Sequence, residues 1–222
     1  MKFVSHIKSY VKRNGRITTS QKKFLKKKEY DNNFFIISKK NLNYKELFNN
    51  SNPCVLDIGF GDGKLLISIA KKFPEINFIG LEVYESGIGN ILCQIDENKI
   101  NNIKISNLDA VEALNNHIND KSLFGISLFF PDPWPKKKHH KRRIINDQFI
   151  KLISTKVKKN GFIKITTDWS NYADIIIKLF DHNNNFKKAH EIYLYKNRDI
   201  TKFEKRGILL GNKITELSYF LN

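Results

Sequence analysis

The chain has 222 residues, 41% of them hydrophobic, and a formal net charge of +17. That is enough apolar material for one folded domain with a sizeable core, which excludes a disordered or fibrous class. The charge points to a polyanionic partner, nucleic acid before an anionic membrane surface.

The N-terminal "MKFVSHIKSYVKR" has charge but no apolar stretch of a secretory leader. The longest near-continuous apolar run, residues 123–130, is far short of the ~20 residues a membrane helix needs. Two cysteines, Cys54 and Cys93, make neither a disulfide framework nor a ligand cluster. A reduced, cytoplasmic setting is expected, with no membrane and no metal. Nothing in the pattern calls for an obligatory protein partner.

Residues 1–45 read as a basic arm without strong periodicity, and 46–222 as the folded domain. The first 28 residues carry ten Lys or Arg and no acid. The six arginines, Arg13, Arg16, Arg142, Arg143, Arg198 and Arg206, fall in three places. Arginine is the residue best suited to bidentate phosphate contact.

From Pro53 onward, strands and helices alternate. Short strands are predicted at 54–60, 77–83, 102–109, 123–130 and 161–169. Helices are predicted at 63–73, 85–99, from 110, at 145–159 and from 171. Two last strands, 187–196 and 213–222, have no helical pattern between them. This alternation argues for an α/β fold, a mostly parallel sheet with helices on both faces. The closing strands suggest an antiparallel hairpin at one edge.

"VLDIGFGDGK" puts Asp57, Gly59, Gly61 and Gly63 at alternate positions where the first strand hands over to a helix. Glycines there let the chain turn tightly and a ligand approach closely. The G-x-G-x-G spacing departs from the dinucleotide fingerprint. It resembles motif I of S-adenosylmethionine-dependent methyltransferases. Glu82 closes the second strand, where a carboxylate can accept both ribose hydroxyls. Asp109 ends the third strand, which in the methyltransferase fold reaches the adenine amino group.

The fourth strand runs into "FFPDPWPKKKHHKRR". In an open α/β sheet, ligands bind beyond the carboxyl ends of the strands, so Asp132 is delivered to the site. Three prolines remove local freedom around it, and Trp134 is available to stack on or pack beside a base. Eight consecutive Lys, His or Arg residues, 136–143, follow directly.

This motif, with "VLDIGFGDG", "GLEVY", "NLDAVE", "TTDW" and "TKFEKRG", closely resembles the bacterial-type tRNA (guanine-N7-)-methyltransferases. The resemblance spans nearly the whole chain in matching order. "IKSYVKRNGRITTSQ" is similar to the family's N-terminal Arg-rich segment, with Lys8 and Lys12 where Arg is common. Asp62 adds a carboxylate to the glycine loop.

The resemblance implies a Rossmann-like class I methyltransferase with a seven-stranded sheet, using S-adenosylmethionine to methylate guanine N7 in tRNA, at position 46. It implies Asp57, Gly59, Gly61, Gly63, Glu82, Asp109 and Asp132 as cofactor-binding residues, and Asp132 as the catalytic acid. Lys136, Asp168, Thr201, Lys202, Phe203 and Glu204 become substrate contacts. Lys138, His139, His140, Lys141, Arg142 and Arg143 become the RNA grip. Two other readings stand beside it. One is methylation of an exocyclic amine, from the partial likeness of Asp-Pro-Trp-Pro to an Asp-Pro-Pro-aromatic motif. The other is an RNA-binding protein that keeps only the fold.

Overall fold

A computed structural model describes residues 7–11, 17–27 and 42–222. Arg13, Arg16 and Lys12 lie outside the described residues.

Seven strands form one sheet: β1 (Cys54–Ile58), β2 (Asn77–Leu81), β3 (Ile103–Ser106), β4 (Leu123–Phe129), β5 (Val157–Thr167), β6 (Phe186–Lys188) and β7 (Thr215–Leu221). Their order is β3-β2-β1-β4-β5-β7-β6. The first five are parallel, and β7 is antiparallel to both β5 and β6. The helices are α1 (Thr19–Lys27), α2 (Tyr44–Phe48), α3 (Lys64–Lys72), α4 (Glu85–Asn98), α5 (Ala110–Asn116), α6 (Asp147–Lys156), α7 (Ser170–Asp181) and α8 (Lys202–Leu209).

The central strands are buried along their whole length because helices cover both faces. Side-chain alternation then divides the core in two. Leu56, Ile79, Ile126 and Ile163 pack with α5, α6 and α7. Val55, Phe78, Ile103 and Phe162 pack with α3 and α4 on the opposite face.

From β1 the chain first adds β2 and β3 on one side, then crosses to β4 and β5 on the other. Strand order therefore reverses between β1 and β4. The crevice beyond their carboxyl ends is where such sheets hold ligands.

Three expectations need correction. Of residues 187–196, only the start pairs in the sheet; Tyr193–Tyr195 form a 3₁₀ turn. Ile192, Leu194 and Tyr195 are buried against the α3/α4 face, so their alternation reports burial rather than pairing. Between the last two strands lies α8, begun by a reciprocal cap in which Thr201 and Glu204 bond each other's backbone. The T-x-x-E pattern was its sequence signal. The arm also contains α1, whose Phe24 and Leu25 pack on the α3/α4-side core. That helix has only a short apolar edge, and it becomes visible when α4 is beside it.

Candidate active site

Gly59, Gly61 and Gly63 all have left-handed backbone, with φ of 74°, 60° and 77°. Two of them have different reasons to lack a side chain. A Cβ on Gly63 would lie 2.7 Å from Ile91, so that position brings α3 close to α4. A Cβ on Gly59 would meet nothing within 4 Å. Its open side faces a cavity of about 200 Å³, also lined by Glu82, Asp109, Phe129, Asp132 and Phe203. A second cavity of about 770 Å³ adjoins it, sharing Gly59, Gly61, Glu82 and Phe203 and adding Asp57, Thr201 and Lys202.

The acids are held by their surroundings. Gly61 N–H donates to Glu82 Oε2 at 2.9 Å, and Val83 and Tyr84 N–H donate to Oε1 at 2.7 and 3.0 Å. Burial raises the pKa of Glu82, and these three N–H groups oppose the rise. Glu82 thus ties the end of β2 to the glycine loop. Asp57 accepts the Ser127 hydroxyl at 2.6 Å, and burial pushes its pKa up to about 6. Asp109 caps α5, accepting Val111 and Glu112 N–H at 2.9 and 3.1 Å. The residue lines the smaller cavity beside Leu108 and Ala110.

Asp132 stands on the rim, in a loop fastened on several sides. Phe130 and Trp134 both take positive φ, 54° and 44°. Phe130 N–H donates to Thr166 O at 2.7 Å, tying the loop to β5. Arg143 Nε donates to Pro133 O at 2.7 Å. The indole of Trp134 donates to Ser9 O at 3.0 Å. The Arg142 guanidinium lies 5.1 Å from the Trp134 ring centroid, and the His139 ring 5.8 Å away. Trp134 is therefore packed among protein groups.

The basic run divides. Lys136, Lys137, Lys138 and Lys141 are exposed around a 3₁₀ helix at Lys137–Arg142, while His139, His140 and Arg142 are half-buried. Arg143 is only 4% exposed. Its guanidinium sits 4.7 Å from the Tyr172 ring centroid and also donates to Asn171. Expected among the RNA contacts, Arg143 is instead a buried strut under the Asp132 loop. Its charge is spent on a carbonyl and an aromatic face.

Asp168 directly follows β5 and accepts Asn212 Nδ2 at 3.1 Å. A Cβ on Gly207 would come within 2.9 Å of its Oδ2, so α8 packs directly on this acid. Phe203 is exposed and reaches over the glycine loop, 3.7 Å from where a Gly61 Cβ would be. Glu204 is 8% exposed and occupied by its cap and by Arg198. It holds the Thr201–Phe203 segment in place from behind.

Several site residues escaped sequence reasoning. Ser9 and Tyr10 of the arm line the smaller cavity, where Tyr84 Oη donates to Val11 O at 3.0 Å. No local pattern in "IKSYVKR" could have placed them there. Tyr84 stands in the "GLEVY" motif, which was the available signal. Among the described residues, no group of three or more His, Cys, Asp or Glu could hold a metal ion.

A bare glycine cradle at a strand-order reversal, with acids on β1 and just beyond β2 and β3 around it, goes with the class I methyltransferase fold. Solved structures agree on the fold. The 16S rRNA methyltransferase KamB has a TM-score of 0.56 at 12% identity, covering 81% of this chain and 92% of its own. The aminoglycoside resistance methyltransferase NpmB1 has a TM-score of 0.54 at 13% identity over the same shares.

The family model described as "Putative methyltransferase" matches residues 51–217. A tRNA (guanine-N(7)-)-methyltransferase of Francisella philomiragia is 40% identical, covering 96% of this chain and 94% of its own. One of Buchnera aphidicola is 41% identical, covering 99% and 93%. The chain belongs to the tRNA (guanine-N7-)-methyltransferase family.

Proposed function

We propose that this protein transfers a methyl group from S-adenosylmethionine to N7 of a guanine in tRNA, acting in the cytoplasm. The observation that carries the reading is Asp132, on a fastened loop beyond β4, lining the same cavity as Gly59, Glu82 and Asp109. The residues fit the cofactor. The bare side of Gly59 leaves room for its approach, Glu82 has the place of a ribose acceptor, and Asp109 that of an adenine acceptor.

The cofactor supplies an electrophilic sulfonium methyl. Guanine N7 carries an in-plane lone pair and no proton, so no strong general base is needed. The chain's task is to align the base, a proximity effect. The product base is cationic, and Asp132 stabilises that charge as it develops. Lys136, Asp168, Thr201, Lys202 and Phe203 are proposed to contact the guanine and its neighbours, with Asp168 suited to the N1–H and N2–H edge. Lys138, His139, His140, Lys141 and Arg142 are proposed to hold phosphates, giving salt-dependent affinity with little sequence information. Selection of one guanine, at position 46 in the variable loop by family resemblance, then rests on tRNA shape.

The test is methyl transfer onto unmodified tRNA, followed by borohydride reduction and alkaline cleavage. Cleavage at one guanine is expected. Incorporation without cleavage would show an exocyclic amine as the target, and no incorporation would refute the reading.

A further inference from the structure

Arg198 lines neither cavity, yet it touches β4 and α8, which supply lining residues to both. Its side chain is 5% exposed. Nη1 donates to Glu204 Oε2 at 2.6 Å and Nη2 to Glu204 Oε1 at 3.1 Å, a two-pronged pair on the first turn of α8. Nη2 also donates to Glu216 Oε1 on β7 at 2.5 Å. The other Glu216 oxygen accepts Lys164 Nζ from β5 at 2.6 Å. The guanidinium lies 5.1 Å from the ring centroid of Phe129, the last residue of β4. Phe129 lines both cavities and leads directly into the Asp132 loop.

A helix cap alone needs none of this. The Thr201–Glu204 reciprocal bonds already satisfy the first turn of α8. Two buried cations and the buried Glu204, joined by the half-exposed Glu216, are also a poor source of stability, because desolvation of the buried charges consumes much of the Coulomb gain. What such a network supplies is one fixed arrangement, since a rigid fork fits a carboxylate in few ways. We infer that Arg198 is a positioning residue, which through Glu204 and Phe129 holds the Thr201–Phe203 segment and the Asp132 loop in one register over the glycine cradle. The inference rests on the proposed function for what that register serves.

The experiment compares Arg198→Lys, Arg198→Met and Arg198→Ala with wild type, reading methyl transfer to tRNA, thermal unfolding and amide exchange. Lysine keeps the charge and loses the fork. It is expected to lower kcat about 10-fold, and Met about 10²-fold, as misplacement remote from the chemistry does. The KM for tRNA should move less than about threefold, since affinity resides in the basic run. Methylguanidinium should restore part of the lost kcat in Arg198→Ala, and equal concentrations of ammonium should not.

Amide exchange at Glu204 and Lys205, whose N–H groups bond Thr201, should quicken about 10-fold in Arg198→Lys while β4 and β5 amides stay protected. Wild-type kcat in Arg198→Lys, a loss matched by the unfolded fraction, or unchanged exchange would each overturn the inference. If wild type transfers no methyl group, the function reading falls, and amide exchange still decides the role of Arg198.

Discussion

Replacing Arg143 with Met removes a cation from beneath the Asp132 loop while keeping most of its packing volume. The structure sets the expected loss. Three hydrogen bonds go, to Pro133 O at 2.7 Å, to Asn171 Oδ1 at 3.2 Å and to His140 Nε2 at 3.2 Å. Bonds from a charged donor are each worth about 1.5–3 kcal/mol. The stacking over Tyr172, 4.7 Å to its centroid, adds about 0.5–2 kcal/mol. Relief from burying a guanidinium at 4% exposure offsets more than half of this. The net is a destabilisation of about 2–4 kcal/mol. For a domain of this length that lowers Tm by about 4–16 °C.

The salt dependence of tRNA binding tells the two roles apart. Arg143→Met should leave the slope of log K against log salt unchanged, whereas Lys141→Ala with Arg142→Ala should reduce it by up to ~1 for each phosphate no longer neutralised. Calorimetry and filter binding across a salt series measure both. A variant as stable as wild type, with a slope reduced by ~1, would refute the strut and return Arg143 to the RNA surface.

Asp132→Asn should lower turnover by ~10² or more with the cofactor still bound; near-normal single-turnover rates would remove the carboxylate from the mechanism. Gly59→Val should weaken S-adenosylhomocysteine binding by at least about tenfold, because its side chain would enter the cavity. Its left-handed backbone adds a cost of about 1–2 kcal/mol; unaltered affinity by titration calorimetry would refute the cradle. Asp57 has its pKa raised to about 6, so between about pH 4 and 6 the folded protein holds a proton that the unfolded chain has released. Raising the pH through that window therefore lowers stability, by at most about 1.4 kcal/mol per unit. Urea unfolding at several pH values should show Asp57→Asn gaining on wild type as pH rises from 4 to 6, and a constant difference would contradict the burial argument.

The succession of β1 to β5 along the chain, the glycine loop and the acids at strand ends were legible because each is a local matter. Burial on both faces makes continuous apolar strands, and a strand-to-helix turn beside a ligand needs glycines within a few residues. That the Asp132 loop is restrained could be anticipated in part for the same reason, since its prolines act on their own backbone; its ties to Ser9, Arg143 and Thr166 could not.

What tertiary structure decided concerns groups far apart in the chain. Arg142 and Arg143 are adjacent and chemically identical, yet Tyr172 and the Pro133 carbonyl claim only the second. Residues 192–195 alternate as a strand would, but their partner is a helix-covered face supplied by α3 and α4. Ser9 and Tyr10 reach the cavity only because Tyr84 and Trp134 bond the carbonyls beside them. Arg198 meets Glu216 on β7 and Phe129 on β4 only in the assembled sheet. Composition determined that this chain is cationic and which residue types carry the charge. Which cations face the solvent and which bind the frame together depended on partners brought in from distant positions, because a buried charge persists only where the fold supplies its counter-groups.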